Sequence, residues 1–269
     1  MKRWVKLVVS LALRACDVLH TAALRRIGRQ ARPICVALYY HAVPARHREL
    51  FARQMDLLLR VAEPVSTESP PAMQPGKRYV AVTFDDGFVS VLENAAPELK
   101  SRRIPWTMFV PSGFLGRTPA WLRNGHPTAG RDRVMTGDEI RSLARDPLVT
   151  IGSHSVNHPD FLRLDAATAD REFLDSKREL EALLERPVEL FSFPHGACDE
   201  HLARQARKSG YRRVFTIEPE RIDPSSSMLV VGRVAVEPDD WPIEFRLKLL
   251  GAYRWLAAPR RQEAEVRGR

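Results

Sequence analysis

Cysteine is scarce in this sequence, and the few cysteines lack the spacing of a bonded or metal-binding set. Only Cys16, Cys35 and Cys198 occur among 269 residues, and no two of them form a C-x-x-C pair. Disulfide frameworks and thiolate zinc sites both rely on recurring, closely spaced cysteines. The sequence therefore predicts neither a disulfide framework nor a thiolate zinc site. The chain is long enough for one large α/β domain with a sizeable apolar core.

The N-terminus also lacks a long hydrophobic run. Residues 7–13 are apolar, but Arg14 and Asp17 interrupt the pattern, and a membrane-spanning helix needs about 20 mostly apolar residues. On a helical wheel one narrow face is polar and a wider face is apolar. The polar face holds Lys6, Ser10, Arg14, Asp17 and Thr21, and the apolar face holds Trp4, Leu7, Val8, Leu11, Val18 and Leu19. Residues 1–32 are thus predicted to carry a basic amphipathic helix that either lies at a membrane interface or packs on the domain's own surface.

Acidic residues are few at both ends of the chain. Residues 1–60 contain twelve Lys or Arg against three Asp or Glu, and residues 246–269 contain seven against two, within a chain of net charge +9. Clustered basic charge suits an anionic membrane surface, with nucleic acid as the rival partner. Because no nucleic-acid-binding module accompanies the charge, we expect peripheral association with an anionic membrane and no nucleic acid partner.

No internal repeat is present, and β-rich and helical segments alternate as in an α/β domain with a mainly parallel sheet. One folded domain is predicted over residues 33–257, followed by a basic tail at 258–269. Seven strands are predicted at residues 34–39, 79–84, 107–110, 149–152, 189–193, 213–217 and 229–231. Helices are predicted at residues 49–60, 89–101, 136–145, 166–185 and 200–209. Residues 62–76 and 113–133 are predicted loops, and the second is long enough to carry binding residues.

Two adjacent carboxylates follow the second predicted strand, in residues 83–87 (T-F-D-D-G). An Asp-Gly pair alone is common in solvated turns. Two neighbouring carboxylates, however, repel each other unless a cation or a shared proton relieves the repulsion. Asp85 and Asp86 therefore favour a metal site at this strand end.

Two histidines follow the fourth predicted strand, in residues 154–158 (H-S-V-N-H). Imidazoles four residues apart converge on one ion when the chain between them makes a helical turn, although a surface pair without a role has the same spacing. Two histidines and one carboxylate form the ligand set of many hydrolytic zinc sites. Both motifs lie at strand ends, where the loops of parallel barrels build active sites.

A third motif, residues 191–196 (F-S-F-P-H-G), follows the fifth predicted strand. A proline and a glycine around one residue favour a tight turn. The backbone N–H of the residue between them, His195, is a candidate donor to an oxyanion. The same pattern is equally typical of a turn with a purely structural role.

In this order and spacing the motifs resemble the polysaccharide deacetylase family, also called the NodB-homology family or carbohydrate esterase family four. The resemblance extends over about residues 34–236 and includes residues 40–43 (Y-H-A-V) and 51–55 (F-A-R-Q-M), which are similar to two further family motifs. It implies an α/β fold, an incomplete or distorted (β/α)7 TIM-like barrel. It also implies Asp85 as general base, a divalent metal on Asp86, His154 and His158, and the backbone N–H of His195 in an oxyanion hole.

The chain departs from the family pattern in its third motif and near its C-terminus. Many members have an arginine where this chain has Ser192, a tyrosine where it has His195, and a histidine near the C-terminus as general acid, which is missing after His201. The pattern is similar instead to the exopolysaccharide-modifying branch of the family, in which the histidine of the Y-H-x-V motif serves as the general acid. His41 is therefore the predicted acid, and His195 is the second candidate.

The implied activity is removal of N-acetyl groups from N-acetylhexosamine units of an exopolysaccharide or cell-envelope glycan, with zinc as the expected metal and cobalt or iron(II) as alternatives. A deacylase of a lipid-linked sugar and a non-catalytic glycan-binding domain are the rival functions, and retention of Asp85 with all three ligands disfavours the latter. The expected location is the cell envelope or the cytoplasmic membrane face. Trp121 is predicted either to stack on a sugar ring or to anchor its loop, and Ser155 and Pro194 are further predicted substrate contacts.

Overall fold

A parallel sheet organises the computed structural model, which describes residues 2–119, 121, 132–196, 198–220, 222 and 229–257. The eight strands are β1 (Ile34–Tyr40), β2 (Glu63–Pro64), β3 (Arg78–Phe84), β4 (Trp106–Val110), β5 (Val149–Ser153), β6 (Leu190–Ser192), β7 (Arg213–Thr216) and β8 (Val230–Ala235). All seven predicted strands are present within a few residues of their predicted ends. The two-residue β2 lies in a segment predicted as loop, because so short a strand has no periodicity to detect.

Seven of the strands close into a barrel. Strand β1 pairs in parallel with β8 on one side and with β3 on the other, so the order β1-β8-β7-β6-β5-β4-β3 returns to its start. Strand β2 pairs only with the first residues of β3 and stays outside this ring. The seam between β5 and β6 has a single residue pair, Ser153 with Phe191. The predicted distorted (β/α)7 barrel is confirmed, with its distortion at that seam.

The helices cover the outside of the barrel. They are α1 (Arg3–Arg26), α2 (Arg48–Val61), α3 (Ala96–Ser101), α4 (Gly137–Leu143), α5 (Ala166–Leu184), α6 (Glu200–Lys208) and α7 (Pro242–Leu249). Side chains cap the N-termini of several helices. Thr136 and Glu139 form a capping box at α4, and the Asp165 side chain accepts from the Thr168 N–H at α5.

Two helix starts are irregular. The predicted helix at residues 89–101 begins with a π-helical turn, Val91–Ala95, because Pro97 lacks the N–H that would continue regular bonding toward the preceding turn. The last helix, α7, begins after Trp241 without a side-chain cap. The Asp240 carboxylate accepts instead from the Glu237 N–H and pairs with Lys248.

The predicted N-terminal helix is confirmed as α1, and it packs on the domain. Asp17 pairs with Arg254, and the Trp255 indole N–H donates to the Ser10 hydroxyl at 3.0 Å. With 24 residues, α1 is long and apolar enough to cross a membrane by length and composition, whereas residues 7–13 alone predicted a segment too short to span. The predicted basic tail at 258–269 lies outside the described residues.

Candidate active site

The sequence motifs meet at one end of the barrel. Each follows the carboxyl end of a strand: His41 follows β1, Asp85 and Asp86 follow β3, His154 follows β5, and residues 193–196 follow β6. Because these strands are parallel and arranged in a ring, their carboxyl ends open at the same mouth.

Asp86, His154 and His158 form the candidate metal centre. The Asp86 Oδ1 atom lies 3.6 Å from Nε2 of His154 and 3.3 Å from Nε2 of His158. All three ligand atoms lie within 4.8 Å of one another. Two ligand atoms that are each about 2.0–2.1 Å from a tetrahedral ion lie roughly 3.3 Å apart. The spacing therefore fits three ligands that share one ion.

Hydrogen bonding around these side chains also fits a metal. Nδ1 of His154 lies 2.7 Å from the Ser192 carbonyl oxygen. A proton on Nδ1 makes that bond and leaves the Nε2 lone pair for an ion, which is the usual arrangement of ligating histidines. Burial, partly opposed by the nearby carboxylates, lowers the pKa of His154 to about 4, so this imidazole is neutral near pH 7. Among the described residues, Asp86 Oδ1 is a buried oxygen that lacks a donor of ordinary hydrogen-bond geometry.

The two adjacent aspartates separate because the backbone turns sharply between them. Asp86 has a φ of 67° and Gly87 has a φ of 64°, a region that glycine adopts readily and other residues rarely do. Asp86 faces the two histidines, whereas the Asp85 carboxylate meets Arg233. Burial works against the charge of Asp86, but His158, His41 and His154 together hold its pKa below the ordinary value.

Arg233 binds the Asp85 carboxylate through both of its oxygens. Its Nη1 atom donates to Oδ1 at 2.7 Å and its Nη2 atom donates to Oδ2 at 2.8 Å. Burial alone would raise the pKa of Asp85, but Arg233 and the nearby histidines hold it below its ordinary value. Asp85 is therefore an anion in a fixed orientation, as a general base must be.

Arg233 also explains the unusual third motif. It has no exposed surface, and Nη2 donates to the Ser192 hydroxyl at 2.7 Å. An arginine beside Asp85 is thus supplied from β8, and the third motif itself contributes the Ser192 hydroxyl. Sequence reasoning missed Arg233, although a lone arginine in the apolar run of residues 229–236 was a usable signal, since a buried charge must be paired.

The turn that carries the two histidines is not the helical turn that their spacing predicted. Ser155 and His158 have φ values of 65° and 55°, so the chain reverses through left-handed positions. The buried Glu172 of α5 accepts from the N–H groups of Val156 at 2.9 Å and Asn157 at 3.0 Å. It also accepts from the Asn157 side-chain amide at 2.7 Å. One carboxylate therefore holds the turn that orients His158.

Replacing Glu172 by Ala is expected to weaken zinc affinity by about ten-fold to a hundred-fold, the usual cost of losing a group that orients a metal ligand. Titration of demetallated protein with zinc measures this. Glu181→Ala is the matched control, because Glu181 lies on the same helix and accepts from Lys177 and the Val188 N–H away from the site. Equal zinc affinity in the two variants would contradict the role of Glu172.

Ser155 contributes to the same turn. It is buried, and its hydroxyl accepts from the His158 N–H at 3.0 Å. This hydrogen bond places the Ser155 hydroxyl inside the turn, against the backbone of His158. Its predicted contact with substrate stays a prediction.

The third motif brings His195 beside the metal ligands. Its ring lies 4.8 Å from the His158 ring in an edge-on arrangement, and its φ is 59°. Pro194 before it is buried, and a Cβ atom on Gly196 after it would clash with the Ile217 side chain. The turn is therefore fixed in shape, while the oxyanion role of the His195 N–H and a substrate contact of Pro194 stay predictions.

Trp121 and His41 complete the mouth. The Trp121 ring stacks on His158 at 4.1 Å with an interplanar angle of 16°, and Phe114 meets it edge-on at 4.7 Å. This contact fits the anchoring alternative, and sugar stacking by Trp121 stays a prediction. The His41 imidazole is close enough to lower the pKa of both Asp85 and Asp86.

Residues 40–43 (Y-H-A-V) and 51–55 (F-A-R-Q-M), the two further motifs similar to those of the family, position His41. The Tyr40 hydroxyl donates to Gln54 Oε1 at 2.9 Å, and the Gln54 amide donates to the Glu237 carbonyl oxygen at 2.8 Å. These bonds tie the end of β1 to α2 and to the segment after β8. The residue that follows Tyr40 is thereby held at the mouth.

Comparison with known proteins agrees with this geometry. The family described as Polysaccharide deacetylase matches residues 72–214. The poly-beta-1,6-N-acetyl-D-glucosamine N-deacetylase of Staphylococcus aureus is 22% identical over 171 residues, which is 61% of this chain and 56% of that protein. The chain spans about half the length of the curated relatives it matches.

Solved structures share the barrel. The structure of IcaB from Ammonifex degensii superposes with a TM-score of 0.66 at 26% identity and covers 81% of this chain and 100% of that one. The Streptococcus pyogenes deacetylase PplD, solved in complex with acetate, superposes with a TM-score of 0.61 at 18% identity and covers 82% and 98%. The second likeness concerns the fold alone.

Proposed function

The chain belongs to the polysaccharide deacetylase family, and we propose on that premise that it hydrolyses N-acetyl groups of N-acetylhexosamine units in an exopolysaccharide or cell-envelope glycan. One observation carries the proposal: the Asp86, His154 and His158 ligand set lies beside an aspartate held by a buried arginine. A non-catalytic glycan-binding domain would need neither the metal ligands nor the oriented base.

The substrate class rests on the comparisons. The Staphylococcus aureus relative is named for poly-β-1,6-N-acetyl-D-glucosamine, so a polymer of N-acetylglucosamine is the first substrate to test. A lipid-linked N-acetylhexosamine is the second, because α1 exposes large apolar side chains. The proposed location is the cell envelope.

The metal is proposed to be divalent and most readily zinc. Imidazole nitrogen and one carboxylate suit zinc, cobalt or iron(II) better than magnesium or calcium, which prefer oxygen ligands. When bound, such an ion polarises an acetyl carbonyl and makes a water more acidic. The ligand side chains Asp86, His154 and His158 would hold it.

Asp85 is proposed to take the proton of the attacking water. The water oxygen forms a bond to the acetyl carbon, and the proton passes to a carboxylate that Arg233 keeps ionised and oriented. The His195 N–H donates to the oxygen that gains negative charge at the acetyl carbon.

Collapse of the tetrahedral carbon then breaks the C–N bond. The nitrogen departs as an amine once it has received a proton, for which His41 is the proposed donor, and acetate is the other product. Each of these groups emerges at the same mouth, so a single bound acetamide can meet all of them.

Acetate release tests the function. Zinc-loaded protein is expected to release acetate from poly-β-1,6-N-acetylglucosamine, with chitin oligomers, peptidoglycan and a lipid-linked N-acetylhexosamine as comparison substrates. Asp85→Asn protein is the matched control for contaminating deacetylases. The proposal fails if no substrate yields acetate, or if the Asp85→Asn protein releases it equally well.

A further inference from the structure

Helix α1 packs on the domain with its polar side and exposes most of its apolar side, the reverse of an ordinary surface helix. Its polar stripe faces the domain, where Ser10 accepts from Trp255 and Asp17 pairs with Arg254. Its apolar stripe, apart from the buried Leu7, faces outward. The exposed fractions are 65% for Trp4, 46% for Val5, 62% for Val8, 41% for Leu11, 48% for Val18 and 70% for Leu19. Surface helices of soluble domains usually bury the apolar stripe and expose the polar one.

An exposed stripe of this kind calls for an apolar occupant. Six large apolar side chains along one helix form a continuous surface, and soluble monomers rarely expose extended apolar patches unless these bind something. Among the described residues the helix contacts the domain mainly through its other side, with Leu7 and Ser10 buried there. The outward stripe therefore remains available to a partner.

The charge beside the stripe identifies the chemistry of that partner. Arg25, Arg26, Arg29 and Arg32 are all exposed at and beyond the C-terminal end of α1. The sequence has no acidic residue between Asp17 and Glu49. An apolar helix face that ends in exposed arginines is complementary to a bilayer containing anionic lipids.

Contacts along α1 decide whether it lies on a bilayer or crosses it. Near its start Arg3 donates to Glu244 at 2.7 Å, and further along Asp17 accepts from Arg254 at 3.0 Å. Two ion pairs separated by 14 positions in the sequence hold the helix along the domain surface. A helix fixed in this way cannot also pass through a membrane, and a charged pair at bilayer depth would be costly.

We propose that the outward stripe of α1 docks on an anionic phospholipid bilayer, with the helix axis in the plane of the membrane and the polar stripe still bound to the domain. The Trp4 ring packs at a tilt against Trp241, with ring centroids 4.8 Å apart. Trp241 belongs to the segment after β8, which also contributes Glu237 near His41. The N-terminal end of α1 therefore lies on the side of the barrel where the candidate active site opens. The proposal does not depend on the nature of the reaction.

Vesicle sedimentation of the full chain tests docking. The wild-type protein is expected to bind phosphatidylcholine vesicles that contain phosphatidylglycerol, and to bind pure phosphatidylcholine vesicles more weakly, with added salt reducing the difference. The double variant Val8→Glu, Leu19→Glu is expected to bind at least about ten-fold more weakly, since two exposed apolar side chains no longer enter the bilayer. Thermal melting of the variant verifies that it is folded.

Leu162→Glu is the matched control. Leu162 is 57% exposed, follows β5 on the opposite side of the barrel from β1 and β8, and receives the same leucine-to-glutamate substitution as Leu19. This variant should bind vesicles as the wild type does. Equal binding by the double variant and the wild type would overturn the proposal.

Two further measurements separate the other occupants. Release of bound protein by alkaline carbonate supports an interfacial helix, whereas retention after carbonate overturns it in favour of a membrane-spanning segment. Light scattering without vesicles should give a monomer. A dimer that the double variant abolishes would assign the stripe to a second copy of the chain and overturn docking on lipid.

Discussion

Asp85→Asn is expected to keep its metal and to lose turnover by about a hundred-fold to ten-thousand-fold, the scale of a positioned general base. The asparagine retains the shape of the side chain but cannot accept the water proton. Metal content per chain and acetate release on the same sample measure the two parts of the prediction.

Asp86→Ala is the opposite case. It removes the carboxylate that both histidines approach, so this variant should lose the metal and the activity together. Stripping the wild type with a chelator should produce the same loss, and zinc should restore activity to the stripped wild type only. If Asp85→Asn emptied the site instead, the assignment of separate roles to the two aspartates would be wrong.

The ion pair between Arg233 and Asp85 means that Asp85→Asn also lowers the stability of the protein. A second substitution, at Arg233, provides the control for that effect. Removing one partner of a buried ion pair typically destabilises a protein by about 3–5 kcal/mol, because the other charge stays buried without compensation. The double variant Asp85→Asn, Arg233→Met removes both charges and should recover stability. Turnover that stays low in this stable variant assigns the loss to chemistry, whereas recovery of turnover would assign it to folding.

The alternation of β-rich and helical segments predicts an α/β domain with a parallel sheet. The barrel itself was implied by the resemblance of the strand-end motifs to the family. Each predicted strand is a short β-rich run, and in a parallel barrel the end of each run places its motif at the common mouth. Asp86, His154 and His158 therefore meet although Asp86 and His154 are 68 positions apart in the sequence. The two-residue β2 and the left-handed turn through Ser155 carry no periodic signal, so they were not predicted.

Arg233 illustrates a different limit. Its partner Asp85 lies 148 positions earlier in the chain, and only the pairing of β1 with both β8 and β3 brings the two together. A lone arginine in an apolar run predicts that some partner exists but not which one. The same limit applies to α1, where the wheel separates two faces correctly and only the packing shows that the polar face is turned inward.

The proton that the leaving amine receives is the last open part of the reaction. Without that proton the tetrahedral carbon expels water more easily than a strongly basic nitrogen anion, and the amide is restored. Histidine is the side chain that ordinarily changes charge near neutral pH. His41 and His195 are the two candidates at the mouth.

The surroundings of the two rings favour His41. His195 lies against His158, and burial together with that neighbouring imidazole lowers the pKa of His195. A lower pKa leaves a smaller fraction of this ring protonated at a given pH, which disfavours it as the acid. His41 lies instead close enough to Asp85, Asp86 and Glu237 to contribute to the pKa of each carboxyl, which places its ring beside the proposed base and one metal ligand.

His41→Ala is therefore expected to lower turnover by about a hundred-fold or more, the scale of general acid catalysis, with metal content unchanged. The alkaline limb of its rate profile should disappear, because that limb reports the acid losing its proton as the pH rises. His195→Ala is the matched comparison: it keeps the backbone N–H of the third motif and should reduce turnover much less. Near-normal turnover in His41→Ala together with a collapse in His195→Ala would transfer the role of acid to His195.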